Sequence, residues 1–161
     1  MASLSILFFR TDSSYLPLCK QWKFPCKVLM IFASTGGRFR EFYYWDTYWI
    51  IQGLLLSEMY DTTRGILENF LSMVDTYGHV PNGGRVYYIQ RSQPPLLIPM
   101  VDSYVTQTGN ITFLRNNINL LEKEFKFWMS NRTVTVNIDG NEYKLARHYA
   151  PSQGPRPEGY R

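Results

Sequence analysis

Apolar positions along the chain recur with a helical spacing in four places. From Glu41 to Tyr60 the marks are Trp45, Trp49, Leu56 and Tyr60, with Ile50 and Leu54 widening the face. This segment is apolar nearly all round, which predicts an inner helix. Asp61 or Thr62 can cap a second helix whose stripe is Ile66, Leu67, Phe70, Leu71 and Val74, and Gly78 can end it. The connection between the two is short, so they are expected to lie antiparallel as a hairpin.

Pro81-Asn82-Gly83-Gly84 is a turn signal, and Val86-Tyr87-Tyr88-Ile89 after it predicts a short extended piece. Arg91-Ser92-Gln93-Pro94-Pro95 leads into a third helix with the face Leu97, Met100, Val101, Tyr104 and Val105, ending before Gly109. Pro99 does not suit a helix interior, so this helix begins late or kinks there. Asn110 is placed to cap the last long helix, whose stripe Leu114, Ile118, Leu121, Phe125 and Trp128 steps by four and three. Asn116, Asn119, Lys123 and Lys126 fall largely off the stripe and are expected in solvent. Thr133 to Asn137 alternates like a strand, Asp139-Gly140 makes a turn, and Glu142 to His148 can return beside it. The pattern predicts a mainly α chain of about two helical hairpins, with a small β-hairpin near the C-terminus. The first 35 residues keep no clean period and are expected to pack poorly.

Composition narrows the function. The 161 residues are enough for one ordinary domain with a core, and a charged fraction of 19% is too low for a disordered chain. The formal charge of +4 comes from scattered basic residues with no Lys/Arg cluster, so no nucleic-acid partner is expected. Two cysteines, Cys19 and Cys26, are too few for a disulfide framework, and two histidines, His79 and His148, cannot build a metal site alone. His79, between a helix end and a turn, reads as a polar turn residue rather than a ligand. No segment reaches the roughly 18 apolar residues of a membrane span. The opening MASLSILFFR is too short and too poorly flanked for a secretory signal. Asn110-Ile-Thr and Asn131-Arg-Thr nevertheless fit the acceptor pattern for N-glycosylation, which leans toward a secreted parent protein.

Candidate chemistry gathers in Gly36 to Trp49, GGRFREFYYWDTYW. A glycine pair lets the backbone pass close to a ligand. Arg38, Trp45 and Asp46 then offer a guanidinium, a ring face and a carboxylate. That set suits an uncharged polyol: a ring covers the C–H face of a sugar, and charged groups bind the hydroxyls on its rim. Aromatics make up 16% of the chain, twelve of them tyrosines, as such a site needs. The same residues also fit an aromatic helix start packed in a core, with Arg38 and Asp46 as a surface pair.

GGRFREFYYWDTYW resembles the first signature of the trehalase family. Two further blocks follow in order: DTYGHVPNGGRVYYIQRSQPP, Asp75 to Pro95, and RPEGYR, Arg156 to Arg161. The resemblance runs from about Gly36 to Arg161 and is nearest to animal trehalases. It implies that residues 36–161 are an incomplete (α/α)6 toroid domain and that residues 1–35 are a leader outside the family pattern. The implied activity is hydrolysis of α,α-trehalose to two glucoses with inversion. Inversion needs two carboxyl groups about 6.5–9.5 Å apart, one as acid and one as base, and neither role needs a metal or other cofactor.

Read bare, Glu41, Asp46 and Glu158 are the candidates for that pair. The resemblance assigns them otherwise: Trp-Asp and Arg-Pro-Glu belong to substrate binding, and the catalytic aspartate and glutamate are expected beyond Arg161. By the same resemblance Arg38 contacts sugar hydroxyls, and Trp45 and Asp46 are the stacking ring and its neighbouring acceptor. Asn82 is the asparagine of the Pro-Asn-Gly turn. Arg91, Ser92 and Gln93 form the Arg-Ser-Gln block, and Arg156 and Glu158 the Arg-Pro-Glu block. Gly159 departs from the family serine and loosens the aim of Glu158. The expected partner is trehalose, and the 161 residues alone are expected to be inactive; the alternative is a non-catalytic carbohydrate-binding or regulatory fragment. For animal members the family implies an extracellular or cell-surface location.

Overall fold

The computed structural model describes residues 42–91 and 93–151. Its elements are α1 (Tyr44–Leu56), α2 (Tyr60–Tyr77), a 3-10 turn (Val86–Tyr88), α3 (Leu97–Thr108), α4 (Ile111–Asn131), β1 (Thr133–Ile138) and β2 (Asn141–Ala146). The expected leader, residues 1–35, lies outside the described residues.

Helix ends follow local chemistry. Gly78 and Gly109 take φ of 83° and 68°, and each N–H returns to a carbonyl of the last turn. Only glycine adopts that backbone without strain. Asn110 caps α4, its side chain accepting from the N–H of Phe113 at 3.0 Å. Pro99 sits in the first turn of α3, where the missing N–H costs nothing, so the helix starts late and needs no kink. Asp61 and Thr62 are not caps: α2 begins at Tyr60 with Met59 before it, and Asp61 places its negative charge in the first turn instead.

The four helices form two hairpins. α2 and α3 are central, each packing on both other neighbours, while α1 and α4 flank them. The core is Ile50, Ile51, Leu54 and Leu55 of α1; Ile66, Leu67, Phe70, Leu71, Met73 and Val74 of α2; Leu97, Met100, Val101 and Tyr104 of α3; and Phe113 and Leu121 of α4. Burying each large apolar side chain contributes about 1.5–3 kcal/mol, and Phe70 adds edge contacts with Phe42 and Tyr44.

Three expectations change. In α1 the buried row is Tyr44, Thr47, Ile50, Ile51, Leu54 and Leu55, while Trp45, Trp49 and Leu56 lie on the open side. A helix apolar all round gives the period no contrast, so the pattern could not select the face. In α4 the buried positions are Phe113, Leu121 and Glu124, and Ile118 and Phe125 are half exposed. Val86 to Tyr88 is a 3-10 turn, not an extended piece: Tyr88 N–H bonds Arg85 O and Arg91 N–H bonds Tyr88 O. The β-hairpin is as expected, pairing Thr133 with Ala146 through Ile138 with Asn141 around Asp139 and Gly140. The exposed residues of α4 match expectation, with Asn116, Asn119, Lys123 and Lys126 all open to solvent.

Candidate functional site

The Gly36–Trp49 stretch meets the Pro-Asn-Gly turn directly. The N–H of Tyr44 bonds the carbonyl of Asn82 at 3.0 Å, and Tyr43 pairs with Gly83 in an isolated antiparallel bridge. A Cβ on Gly83 would sit 2.9 Å from the Tyr88 ring and 3.1 Å from the Phe42 carbonyl, so the close approach requires glycine. The first turn of α1, which carries Trp45 and Asp46, is thereby fixed to the turn that carries Asn82.

A second tie runs through the interior. The Tyr44 hydroxyl, buried, donates to Glu124 of α4, with its oxygen 3.0 and 3.1 Å from the two carboxylate oxygens. It accepts from the N–H groups of Leu96 and Leu97 at 3.0 and 2.8 Å. Glu124 also accepts from the N–H of Val80 at 3.1 Å. Burial raises the Glu124 pKa above the usual carboxylate range, opposed by the bonds from Val80 and Tyr44. Burial, with Glu124 alongside, lifts the Tyr44 phenol well above its ordinary value. The Trp128 indole N–H faces this carboxylate closely enough to lower its pKa, yet it makes no hydrogen bond of good geometry.

Beside this interior lies a mostly apolar hollow of about 1000 Å³. Trp45 and Gln93 line it with Pro94, Pro95, Ile98, Phe125, Trp128 and Met129, and Glu124, Arg132, Arg147 and His148 are its charged or titratable lining residues. Two of the expected sugar contacts, Trp45 and Gln93, therefore line the same hollow. Asp46, Asn82 and Arg91 are not among its lining residues. Asp46 is half-buried, and desolvation raises its carboxyl pKa. The Arg91 guanidinium stacks over Tyr88 at 4.7 Å and Tyr87 at 5.4 Å. Arg38, Ser92, Arg156 and Glu158 lie outside the described residues, as do the bare candidate Glu41 and both cysteines.

The amide oxygens of Asn82 and Gln93 are buried and have no hydrogen-bond partner among the described residues. Buried acceptors are nearly always satisfied, so two orphans in two candidate positions call for an explanation. Glu124 is a charged residue of this site that the sequence reading missed. A glutamate in Leu-Glu-Lys-Glu-Phe looks like an exposed helix face, and its partners are far away in sequence.

His79 is structural, as expected. Its ring nitrogens lie 3.0 Å from the Ile89 carbonyl and 3.3 Å from the Tyr77 carbonyl, the one N–H of the neutral ring donating to one of them, and the ring stacks on Phe127 at 3.9 Å. Burial lowers its pKa, and Arg132 adds to the effect. Among the described residues no cluster could hold a metal ion, and no helix is long and apolar enough to cross a membrane. Asn131 is exposed at the end of α4 with its amide donating to the Phe127 carbonyl at 3.1 Å, and the Asn110 side chain is occupied as a cap.

The Trehalase family model matches residues 16–161. Trehalase of Apis mellifera is 64% identical over 126 residues, covering 78% of this chain and 20% of that protein. Trehalase of Homo sapiens is 60% identical over 129 residues, covering 80% and 22% respectively. Among solved structures, neutral trehalase Nth1 from Saccharomyces cerevisiae superposes with a TM-score of 0.58 at 35% identity, over 64% of this chain and 20% of that one. The chain spans about a fifth of the length of these relatives. Its paired helices are part of the (α/α)6 toroid fold of trehalases. With family signature, relatives and fold in agreement, the chain belongs to the trehalase family.

Proposed function

We propose that this chain forms a sugar-binding wall of an α,α-trehalase, and that residues 1–161 supply substrate contacts rather than the proton-transfer pair. The observation that carries this reading is the pair of buried amide oxygens on Asn82 and Gln93 that have no hydrogen-bond partner among the described residues. A disaccharide brings a rim of hydroxyl donors, and each amide oxygen accepts one. Trp45 supplies the ring face for the C–H side of a glucose unit. Asp46, Arg38, Arg91, Ser92, Arg156 and Glu158 complete the set by their family positions, planar guanidinium and carboxylate groups holding neighbouring hydroxyls at fixed angles.

Hydrolysis with inversion requires an acid and a base on opposite sides of the scissile bond, about 6.5–9.5 Å apart. Among the described residues, Glu124 is the carboxylate on the hollow, and both its oxygens are engaged by Tyr44, with Val80 on one of them. A carboxylate so bound is poorly suited to move a proton to substrate. The test is glucose release from α,α-trehalose by the purified 161-residue chain. None is expected; turnover near that of a complete trehalase would overturn the assignment.

A further inference from the structure

We infer that Glu124 and Tyr44 are positioning residues for the sugar-binding wall: one buried hydrogen-bond hub sets the mutual placement of the three segments that carry Trp45 and Asp46, Asn82, and Gln93. The inference rests on the sugar-binding reading above and adds Tyr44, which lies in the first signature stretch but has no assigned role, and Glu124, which lies outside all three blocks.

The hub is saturated and closed. The Tyr44 hydroxyl has one proton and two lone pairs. The proton goes to Glu124, and the lone pairs take the N–H groups of Leu96 and Leu97. Those two donors are at the start of α3, where a helix leaves N–H groups unpaired. Leu96 offers no side-chain cap, so a tyrosine 52 residues earlier does the capping. Glu124 then takes Val80, two residues before Asn82, and the Asn82 carbonyl takes the N–H of Tyr44. Every segment is thus bound to the others: α1 at Tyr44, the turn at Val80 and Asn82, and the entry to α3 at Leu96. Trp45 and Asp46 follow Tyr44 directly, and Gln93 precedes Leu96 by one short stretch containing two prolines.

Charge and shape both matter at position 124. An ionised carboxylate is acceptor-only and strengthens the bonds it receives. An amide there keeps an acceptor for Val80 but turns an N–H₂ toward a tyrosine oxygen that already accepts twice. E124Q therefore preserves size while putting the wrong hydrogen on one side of the hub. Y44F removes the hydroxyl and uncouples α3 and α4 from α1 together.

The experiment compares wild type, E124Q, Y44F and the core variant I66A in the full chain. Two readouts are taken: the side-chain amide NMR signals of Asn82 and Gln93 without ligand, and trehalose affinity followed by tryptophan fluorescence. E124Q and Y44F are expected to shift both amide signals and to weaken trehalose several-fold. I66A, which removes core packing but none of the hub's hydrogen bonds, is expected to lower Tm while leaving the signals and the affinity near wild type. Wild-type amide signals and affinity in E124Q and Y44F overturn the inference, as does I66A changing them equally. If the wild-type chain does not respond to trehalose, the sugar-binding reading fails, and the amide signals still decide the hub. If a variant does not fold, hydrogen exchange in wild type decides. Val80, Leu96 and Leu97 amides should be among the slowest in the chain, and exchange at loop rates overturns the hub.

Discussion

The hydroxyl of Tyr44 lies 3.0 Å from the carboxylate of Glu124, 80 residues further along the chain, with both side chains buried. This contact joins the first helix to the last and places the start of the third. Removing the hydroxyl in Y44F leaves the Leu96 and Leu97 amides and one side of Glu124 without a partner. A buried donor or acceptor left unpaired costs about 1–3 kcal/mol, so the variant should lose several kcal/mol in denaturant unfolding. A loss no larger than that of an exposed Tyr-to-Phe change would mean the hub is not formed.

Glu124 and His79 should act on stability with opposite pH dependence. The folded pKa of Glu124 is raised from 4.5 by burial, so the folded state holds the proton more tightly than the unfolded chain. That contribution is complete below the unfolded value and is lost as pH rises through the folded one. Wild type should therefore gain stability relative to E124Q as pH falls from neutral toward 4.5. The folded pKa of His79 is lowered from 6.5, chiefly by burial, so here the unfolded chain takes the proton first. Its contribution is present above 6.5 and fades as pH falls toward the folded value. Relative to H79F, wild type should lose stability over that interval. Denaturant midpoints of the three proteins at several pH values test both signs, and parallel curves would refute them.

Gly83 is a steric requirement of the site. In G83A the new methyl would meet the Tyr88 ring at 2.9 Å and the Phe42 carbonyl at 3.1 Å, and the backbone oxygen cannot move away alone. The turn should retreat from Tyr43 and carry Asn82 with it. Destabilisation of about 1–3 kcal/mol is expected from the overpacking, together with weaker trehalose binding. Wild-type stability and affinity in G83A would contradict the close approach.

Much of the fold was legible because its signals are local. Gly78, Gly109 and Asn110 mark helix ends through the chemistry of one residue each, and Asp139-Gly140 marks the hairpin in the same way. The open side of α1 was not legible, because Trp45 and Trp49 are as apolar as Ile50 and Leu54 and only the neighbouring helices choose between them. The 3-10 turn at Val86 was missed because aromatic and β-branched residues favour strands only where a partner strand exists. Of the residues lining the hollow, Trp45 and Gln93 could be singled out from the motif blocks. Glu124 could not, since its role exists only once Tyr44, Val80 and Leu96 have been brought together.

The central claim is that Asn82 and Gln93 hold acceptors for sugar hydroxyls. Calorimetric titration of the purified chain with trehalose, alongside the N82A/Q93A double variant, tests it most directly. The variant deletes two buried oxygens that have no partner among the described residues, so its stability should equal or exceed that of wild type. Wild type should give a weak, saturable heat with one trehalose per chain, and the double variant should lose it. No saturable heat from wild type, or the same heat from both proteins, would contradict the account.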